Sequence, residues 1–479
     1  MFQKYLYDRL DPVERSYLHE DVGAVLENFY GDQAQEATAI AVQLARHYQE
    51  ANIPEKAVQN LYHAGEKAVQ LSAYQEGIAH LMRGLELLNT LAESVERDEL
   101  ELALQRSLGK AWLPAPESNN AYSRARELCL KLGKTTQLCQ VLGELSISHY
   151  VGAEFHKARE LEEEALNMAQ QAGDPLMVAI SHWYLGFVAF ALGEFDTALD
   201  HLEQTLAFYD PHEHHHPMVV LRGSDAGTSA MAYTACSLWC LGYPDQALKL
   251  ARESLVLAQE LGHPYSIVEI LYFSGSIFNA MRRDWSALNK YSKQMLDLVN
   301  EIRLQLWLGS AYMCRGDALI MLGQLQEGET ISSEGMALSL SSGVICNCSR
   351  SYSFLAQGKA KRDQLEQGLT ILDEGLVMIE KTDERYWEAE HHLVRATLLL
   401  RQGDETAAEV SFQKAIEVAR QQKAKSWELR AATDLARLWQ AQGKAEEAHT
   451  LLAQVYEWFT EGFDTPDLIA ARELLEDLR

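Results

Sequence analysis

Proline is scarce in this chain, with 10 copies among 479 residues, and so are valine–isoleucine runs of strand length. Ala, Leu, Glu and Gln are abundant instead. Because proline interrupts helices and these four residues favour them, the composition predicts an all-α protein with almost no strand. No stretch approaches the roughly 18 apolar residues of a membrane helix, and residues 1–15 lack the apolar core of a secretory signal. We therefore expect a cytoplasmic protein that does not enter a membrane.

Basic residues are in deficit, since 42 Lys and Arg stand against 69 Asp and Glu, for a formal net charge of -27. Such a field repels phosphate backbones, so nucleic acid is not expected as a partner of this chain by itself. The seven cysteines follow no regular spacing, which fits a reducing compartment. Two of them form Cys346-Asn-Cys348, and we predict free, buried or half-buried thiols at a helix start.

Motifs of catalysis and phosphate binding are also missing: the sequence has no G-x-x-x-x-G-K-[ST] loop, no G-x-S-x-G and no paired C-x-x-C. We therefore predict a non-enzymatic protein without a cofactor. One run, 210–217, gathers potential metal ligands between two prolines. For it we predict a solvated loop, with weak metal binding as the alternative. The histidines concerned are His212, His214, His215 and His216.

A repeat of about 40 residues is present throughout the chain. Segments that read as two helices joined by a short turn align with one another, and a small residue recurs near the start of the second helix. These residues are Ala198, Ala247, Ala287, Gly328, Gly368, Ala408 and Ala448, at spacings of 49, 40, 41, 40, 40 and 40. With weaker copies toward the N-terminus, the period predicts about ten helical hairpins.

Small residues suit this point because the two helices of a hairpin cross closely there. Glycines about five residues upstream are expected to end the first helix in a conformation that glycine adopts most easily. They are Gly193, Gly242, Gly323, Gly403 and Gly443.

The second helices carry alanine, aromatic and alanine positions, for example Ala408, Phe412 and Ala415. In this they resemble the tetratricopeptide repeat over roughly residues 37–460. The resemblance implies a right-handed α-solenoid with a concave face for a protein or peptide partner. The period exceeds the usual ~34 residues, so helices or loops should be longer than in the commonest members.

Two strings carry a second resemblance: YLYDRLDPVERSYLHEDVGAVLE near the start and AKSWELRAATDLARLWQAQGKAEEAHTLLAQVYEW near the end. They are similar to the helical region that follows the ATPase module of large bacterial STAND-type signalling proteins, where the first string matches the tail of a winged-helix unit. We accordingly predict an N-terminal helical segment at 1–35, a repeat solenoid at 36–462 and a capping helix at 463–479.

The first helix of a tetratricopeptide hairpin lines the concave face, so its side opposite the packing stripe is the predicted ligand groove. Aromatic residues and arginine favour binding because they bury large areas with little loss of entropy. For the aromatic residues the alternative is core packing, and for Asp225 it is capping of the helix that begins near Thr228. The groove residues that this projection predicts are Trp183, Phe187, Phe190, Trp239, Glu269, Tyr272, Asn279, Asp317, Arg350 and Gln357. Arg222 and Asp225, in the loop at 222–227, are predicted to contact a ligand at the edge of the groove.

These features together predict a protein- or peptide-binding scaffold or sensor module of a bacterial signalling system. The alternative is the regulatory arm of a signalling ATPase or nucleotide cyclase whose catalytic modules are absent from this chain. The N-terminal end looks less finished than the C-terminal one, so we expect it to dock on a partner. The sequence leaves the oligomeric state open.

Overall fold

The structure is a computed structural model that describes residues 10–30, 40–71 and 73–479, and over these residues it is helical without any strand. The predicted all-α class is confirmed. The helices are α1 (Pro12–Tyr30), α2 (Ala41–Glu50), α3 (Pro54–Gln70), α4 (Tyr74–Leu88), α5 (Val95–Trp112), α6 (Glu117–Leu132), α7 (Thr135–Val151), α8 (Phe155–Ala172), α9 (Pro175–Ala191), α10 (Phe195–Phe208), α11 (Pro211–Arg222), α12 (Ala226–Leu241), α13 (Pro244–Leu261), α14 (Pro264–Ile270), a π-helical turn (Leu271–Ile277), α15 (Phe278–Met281), α16 (Trp285–Glu301), α17 (Gln305–Met321), α18 (Leu325–Ser342), α19 (Ser349–Lys361), α20 (Leu365–Thr382), α21 (Glu388–Gln402), α22 (Glu405–Gln421), α23 (Lys425–Ala441), α24 (Ala445–Tyr456) and α25 (Pro466–Asp477).

The chain divides into two compact units, the N-terminal unit (1–148) and the C-terminal unit (149–479). In the N-terminal unit, α3 and α4 pack closely because a glycine stands on each side of their crossing. A Cβ atom on Gly77 would lie 3.1 Å from the carbonyl oxygen of Gly65. Leu81, Leu104 and Leu108 are fully buried in the apolar cluster beside this crossing.

In the C-terminal unit, helical hairpins follow one another, as the repeat predicts. The first helix of each hairpin packs on its neighbours in the interior, and we call these the inner helices: α9, α12, α14 with its π-helical turn and α15, α17, α19, α21 and α23. The last residues of α7, from 149 on, belong to the same unit and are counted with them. The second helices bury one stripe and expose the other side. The predicted turn glycines all adopt positive φ, between +75° and +94°, which confirms their role.

The small residue near the start of the second helix lies where the two helices cross. A Cβ atom on Gly328 would meet the carbonyl oxygen of Gly316 at 2.7 Å, so no larger residue fits without moving α17 from α18. One predicted position was wrong. Ala287 is only partly buried, and Leu288 occupies the equivalent buried position in α16.

The predicted loop at 210–217 was also wrong, because the chain forms helix α11 there. The Asp210 carboxylate accepts hydrogen bonds from the backbone N–H groups of His212 (2.8 Å) and Glu213 (3.3 Å), and Pro211 occupies the first helical position. An N-cap aspartate followed by proline is a standard helix start. Helix α11 accounts for the one long repeat spacing, since it is inserted between two hairpins.

The ends of some inner helices meet the starts of inner helices five hairpins later, and we call these contacts the joints. The carbonyl oxygen of Val151 accepts hydrogen bonds from the N–H groups of Ile345 (2.8 Å) and Cys346 (3.1 Å). The carbonyl oxygen of Ala191 accepts one from Arg385 (2.8 Å). The last carbonyl groups of a helix have no partner within it, so each joint satisfies groups that would otherwise need water.

Side chains form two further joints, the first between inner helices five hairpins apart and the second between inner helices four hairpins apart. The Ser426 hydroxyl donates to the carbonyl oxygen of Trp239 (2.5 Å), and the Arg430 guanidinium donates to that of Met281 (2.5 Å). Ion pairs flank the joints: His156–Asp383, Asp196–Lys423 and Arg283–Glu390. The joints themselves are polar, and buried aromatic rings also meet between the same inner helices, as Phe190 and Tyr386 do.

Candidate functional site

Ten of the twelve predicted groove residues are buried in the interior of the C-terminal unit, and Arg222 and Gln357 are partly exposed. The inner helices on which most of them lie face one another across the unit, and the joints hold those faces together. The residues therefore line a packed interior rather than an open groove.

Aromatic rings fill one part of this interior. The rings of Trp183 and Phe187 are stacked with their centroids 4.7 Å apart. The ring of Phe190 contacts that of Tyr386, five hairpins later in the chain, with centroids 5.3 Å apart. Trp183, Phe187 and Phe190 are each 2% exposed. In the structure these three rings therefore pack as part of the core, which is the alternative interpretation of the sequence.

Arg222 makes the interior polar where α11 meets the inner helices. Its Cζ atom lies 3.5 Å from the centroid of the Trp183 ring, and its guanidinium donates to the Glu269 carboxylate (2.9 Å). The Ser229 hydroxyl donates to the same oxygen of Glu269 (2.8 Å). We call these four residues the Arg222 corner. An arginine between an aromatic face and a carboxylate is held by cation–π attraction and a charge-assisted hydrogen bond.

Asp225 is the N-cap of α12, as one of the two interpretations of the sequence predicts. Its carboxylate accepts from the backbone N–H of Thr228 (2.6 Å) and also contacts Nδ1 of His215 (2.8 Å). The Tyr209 hydroxyl donates to it as well (3.0 Å). Burial raises the pKa of Tyr209, and the Asp225 charge adds to this effect. The same aspartate therefore caps α12 and fastens α11.

Asp317 and Arg350 form a second polar group on adjacent inner helices, 2.7 Å apart and with side chains 0% exposed. The hydroxyls of Ser332 (2.9 Å) and Ser351 (3.1 Å) also donate to the carboxylate. Burial raises the pKa of Asp317, although Arg350 and the hydroxyls oppose that shift.

Several polar atoms of this interior have no hydrogen-bond partner. They include the hydroxyl oxygens of Tyr272 and Tyr386 and Nε of Arg350. Burial raises the pKa of both tyrosines well above the ordinary value. The amide groups of Asn279 and Gln357, in contrast, donate to carbonyl oxygens of their own helices.

The histidine run contains a motif that the sequence analysis missed. His212-Glu213-x-x-His216 has the H-E-x-x-H spacing, which places two histidines on one face of a helix. Both histidines are exposed on α11. Among the residues that the structure describes, no three His, Cys, Asp or Glu side chains are grouped so that they could hold a metal ion. Within residues 10–30, 40–71 and 73–479, the motif therefore has no third protein ligand beside it.

Sequence projection also missed the interior residues of the later hairpins. Trp427 contacts Trp239 with ring centroids 4.9 Å apart, and Arg430 lies 4.8 Å above the Trp239 ring. The same helical projection, applied to the inner helices that begin at Glu388 and Lys425, would have selected inner-face residues on these two helices as well. The contact of Trp427 and Arg430 with the earlier inner helix α12 depends on the joints, and the repeat pattern alone does not predict the joints.

Comparisons with known proteins agree with the helical-repeat architecture. Residues 276–474 match the family model for the MalT-like TPR region, and residues 179–204 match that for the tetratricopeptide repeat. The predicted resemblance to tetratricopeptide repeats is confirmed over these residues. An uncharacterized protein of Rhizobium meliloti (strain 1021) is 22% identical over 433 residues, which are 88% of this chain and 41% of the relative. The chain thus spans less than half the length of that relative.

Among solved structures, the chain is similar to a Rap protein complexed with Competence and Sporulation Factor, with 12% identity and a TM-score of 0.40 over 89% of this chain and 100% of that one. A STAND protein with a tetratricopeptide repeat sensor from Pyrococcus horikoshii shows 12% identity and a TM-score of 0.42, over 93% of this chain and 75% of that one. Aspartyl phosphate phosphatase F from Bacillus subtilis shows 13% identity and a TM-score of 0.43, over 76% of this chain and 94% of that one. Within the described part of this chain, no helix combines the length and apolar character needed to cross a membrane.

Proposed function

We propose that the C-terminal unit binds a protein or peptide on its inner face and serves as a non-enzymatic sensor module of a bacterial signalling system. The observation that supports this function most is the composition of that face. It combines stacked aromatic rings with buried arginines, carboxylates and tyrosine hydroxyls, several of them unpaired. A buried polar atom without a partner costs about 1–3 kcal/mol, so a face serving only as core would gain by losing such groups. Aromatic residues and arginine are also the residues that dominate binding hot spots.

The joints provide the route to this face. They consist largely of hydrogen bonds to helix-end carbonyl groups and of ion pairs at the surface. Water can replace such contacts at little net cost, because an intramolecular hydrogen bond contributes only about 0.5–1.5 kcal/mol over its hydrated state. A partner that binds the inner face would separate these inner helices and replace both the joints and the ring contacts between them, such as Phe190–Tyr386 and Trp239–Trp427.

Affinity capture of the tagged chain, followed by calorimetry with the purified partner, tests this function. Trp183→Leu and Tyr272→Phe should each weaken binding at least about tenfold, because both change the inner face. Tyr291→Phe is the matched control, since Tyr291 is half-buried on the outer helix α16 and should bind like the wild type. A partner that binds all three variants equally well uses another surface and contradicts the proposal.

A second candidate is the regulatory arm of a signalling ATPase or nucleotide cyclase. It is favoured by the curated relative, of which this chain matches only 41%. The reading frame upstream of Met1 in the source gene tests it: an ATPase module encoded in frame would support the arm, and a separate upstream gene would support a free adaptor. The predicted boundaries at 35 and 462 and the docking role of the N-terminal end remain proposals of the same kind.

A further inference from the structure

The Arg222 corner differs from the rest of the interior because its arginine comes from outside the repeat. Arg222 is the last residue of α11, the helix inserted between two hairpins, and Gly223 follows it at φ +85°. Most of α11 is exposed or half-buried, with Met218 buried beneath it. Trp183 and Glu269 belong to inner helices and are 2% and 5% exposed. An inserted segment thus places one cationic side chain on the inner face.

Arg222 leaves part of the corner unused. It contacts only one oxygen of Glu269, and the other oxygen, Oε2, has no hydrogen-bond partner. Nε1 of Trp183 and Nε of Arg222 itself are unpaired as well. A guanidinium binds a carboxylate most strongly when two parallel hydrogen bonds form. An arginine that reached both oxygens of Glu269 would therefore be held better than Arg222 is.

We propose that the Arg222 corner is a subsite for an arginine side chain of a partner peptide, and that Arg222 occupies it as a built-in competitor. This inference rests on the proposed function, because it assumes that peptides reach the inner face. The aromatic plane and the buried carboxylate together select a planar cation over a neutral side chain of the same shape. When the partner's arginine enters, Arg222 leaves and α11 is released from the inner helices.

The full chain with Arg222→Ala tests the subsite by calorimetry with two blocked tripeptides, acetyl-Gly-Arg-Gly-amide and its citrulline analogue. The variant should bind the arginine peptide at least about tenfold more tightly than the wild type does, and about tenfold more tightly than the citrulline peptide. Adding Glu269→Gln should remove this preference. Arg395→Ala, which deletes an arginine paired with Asp373 elsewhere, should behave like the wild type.

Circular dichroism shows whether Arg222→Ala folds, and Arg222→Gln replaces it in the same titrations if it does not. The proposed subsite is overturned if the Arg222 variant binds both peptides with equal affinity, or if its affinity for the arginine peptide is no higher than that of the wild type. A captured partner whose affinity falls with Tyr272→Phe but is unchanged by Arg222→Ala and Glu269→Gln would leave the proposed function standing and refute this inference alone.

Discussion

Two of the buried arginine–carboxylate pairs inside the C-terminal unit are held in different ways. Arg350 and Asp317 stand on adjacent inner helices of the repeat, with both side chains 0% exposed. Arg222 reaches Glu269 from the inserted helix α11, and their side chains are 5% and 6% exposed. The distances are similar, 2.7 and 2.9 Å, so the difference lies in the elements that carry the residues.

This difference separates a structural role from a functional one. Three donors converge on Asp317 from two neighbouring helices, α18 and α19, so its pair cannot open without moving the repeats themselves. Glu269 keeps one oxygen unpaired, and the helix that supplies its arginine is half-buried or exposed at every residue except Met218. We therefore expect the first pair to govern stability and the second to govern binding.

Removing the arginine of the repeat pair should give the largest effect. Arg350→Met leaves the Asp317 carboxylate buried beside hydroxyl groups only, which should lower the free energy of unfolding by about 3–5 kcal/mol. Urea unfolding followed by circular dichroism measures the loss. Arg395→Met is the control, because its pair with Asp373 is far more exposed and should contribute less than about 1 kcal/mol. Equal losses in the two variants would remove the distinction drawn here.

The sequence predicted the repeat, its turn glycines and the helix-crossing residues because these follow from local spacing. Projection of the first helices also selected Glu269, Asp317 and Arg350, because it selects one face, whereas Arg222 was selected from the loop at 222–227. The sequence did not predict that this face is closed, because the joints connect inner helices four or five hairpins apart and depend on the rotation from each hairpin to the next. Helix α11 was missed for a local reason: the prolines around four histidines suggested a loop, although Pro211 at the first helical position favours a helix.

The second prediction loosens the repeat pair without touching its charges. Gly316 precedes Asp317, and a Cβ atom on it would lie 2.6 Å from the carbonyl oxygen of Gly328. Gly316→Ala should push α18 away and lengthen the hydrogen bond from Ser332, at a cost of about 2–3 kcal/mol in unfolding free energy.

Gly403→Ala is its control in the same urea measurement. Gly403 also lacks a side chain, but its φ is +87° and a Cβ atom would meet nothing within 4 Å. Only backbone strain opposes the change, so about 1 kcal/mol should be lost. If both alanines cost the same, close helix crossing does not limit stability in this hairpin.

Acid should destabilise the repeat helices through a buried histidine. Burial lowers the pKa of His391 to about 4, from an ordinary value near 6.5. Because the pKa of this histidine is lower in the folded protein, the unfolded chain binds the proton more readily. The contribution of His391 to stability is therefore present above about pH 6.5 and is lost as the pH falls toward 4. We expect about 2 kcal/mol less stability at pH 5 than at pH 7.5 from this residue. In His391→Gln the urea midpoint should depend less on pH over this range, and an unchanged slope would contradict the assignment.

The smallest effect on stability should come from the inserted pair, and this outcome completes the comparison. Arg222→Gln removes the charge but keeps a hydrogen-bonding side chain near Glu269, while the Ser229 hydroxyl still donates to that carboxylate. Because α11 is half-buried or exposed at every residue except Met218, it can shift and let water reach the unpaired oxygen, so the unfolding free energy should fall by only about 1 kcal/mol. Hydrogen exchange would show where the structure responds: protection should fall in α11 and at the start of α12, and stay unchanged in α17 and α19. Loss of protection throughout the inner helices would mean that Arg222 supports the repeat as Arg350 does, and that the insertion is part of the core rather than a movable cover over it.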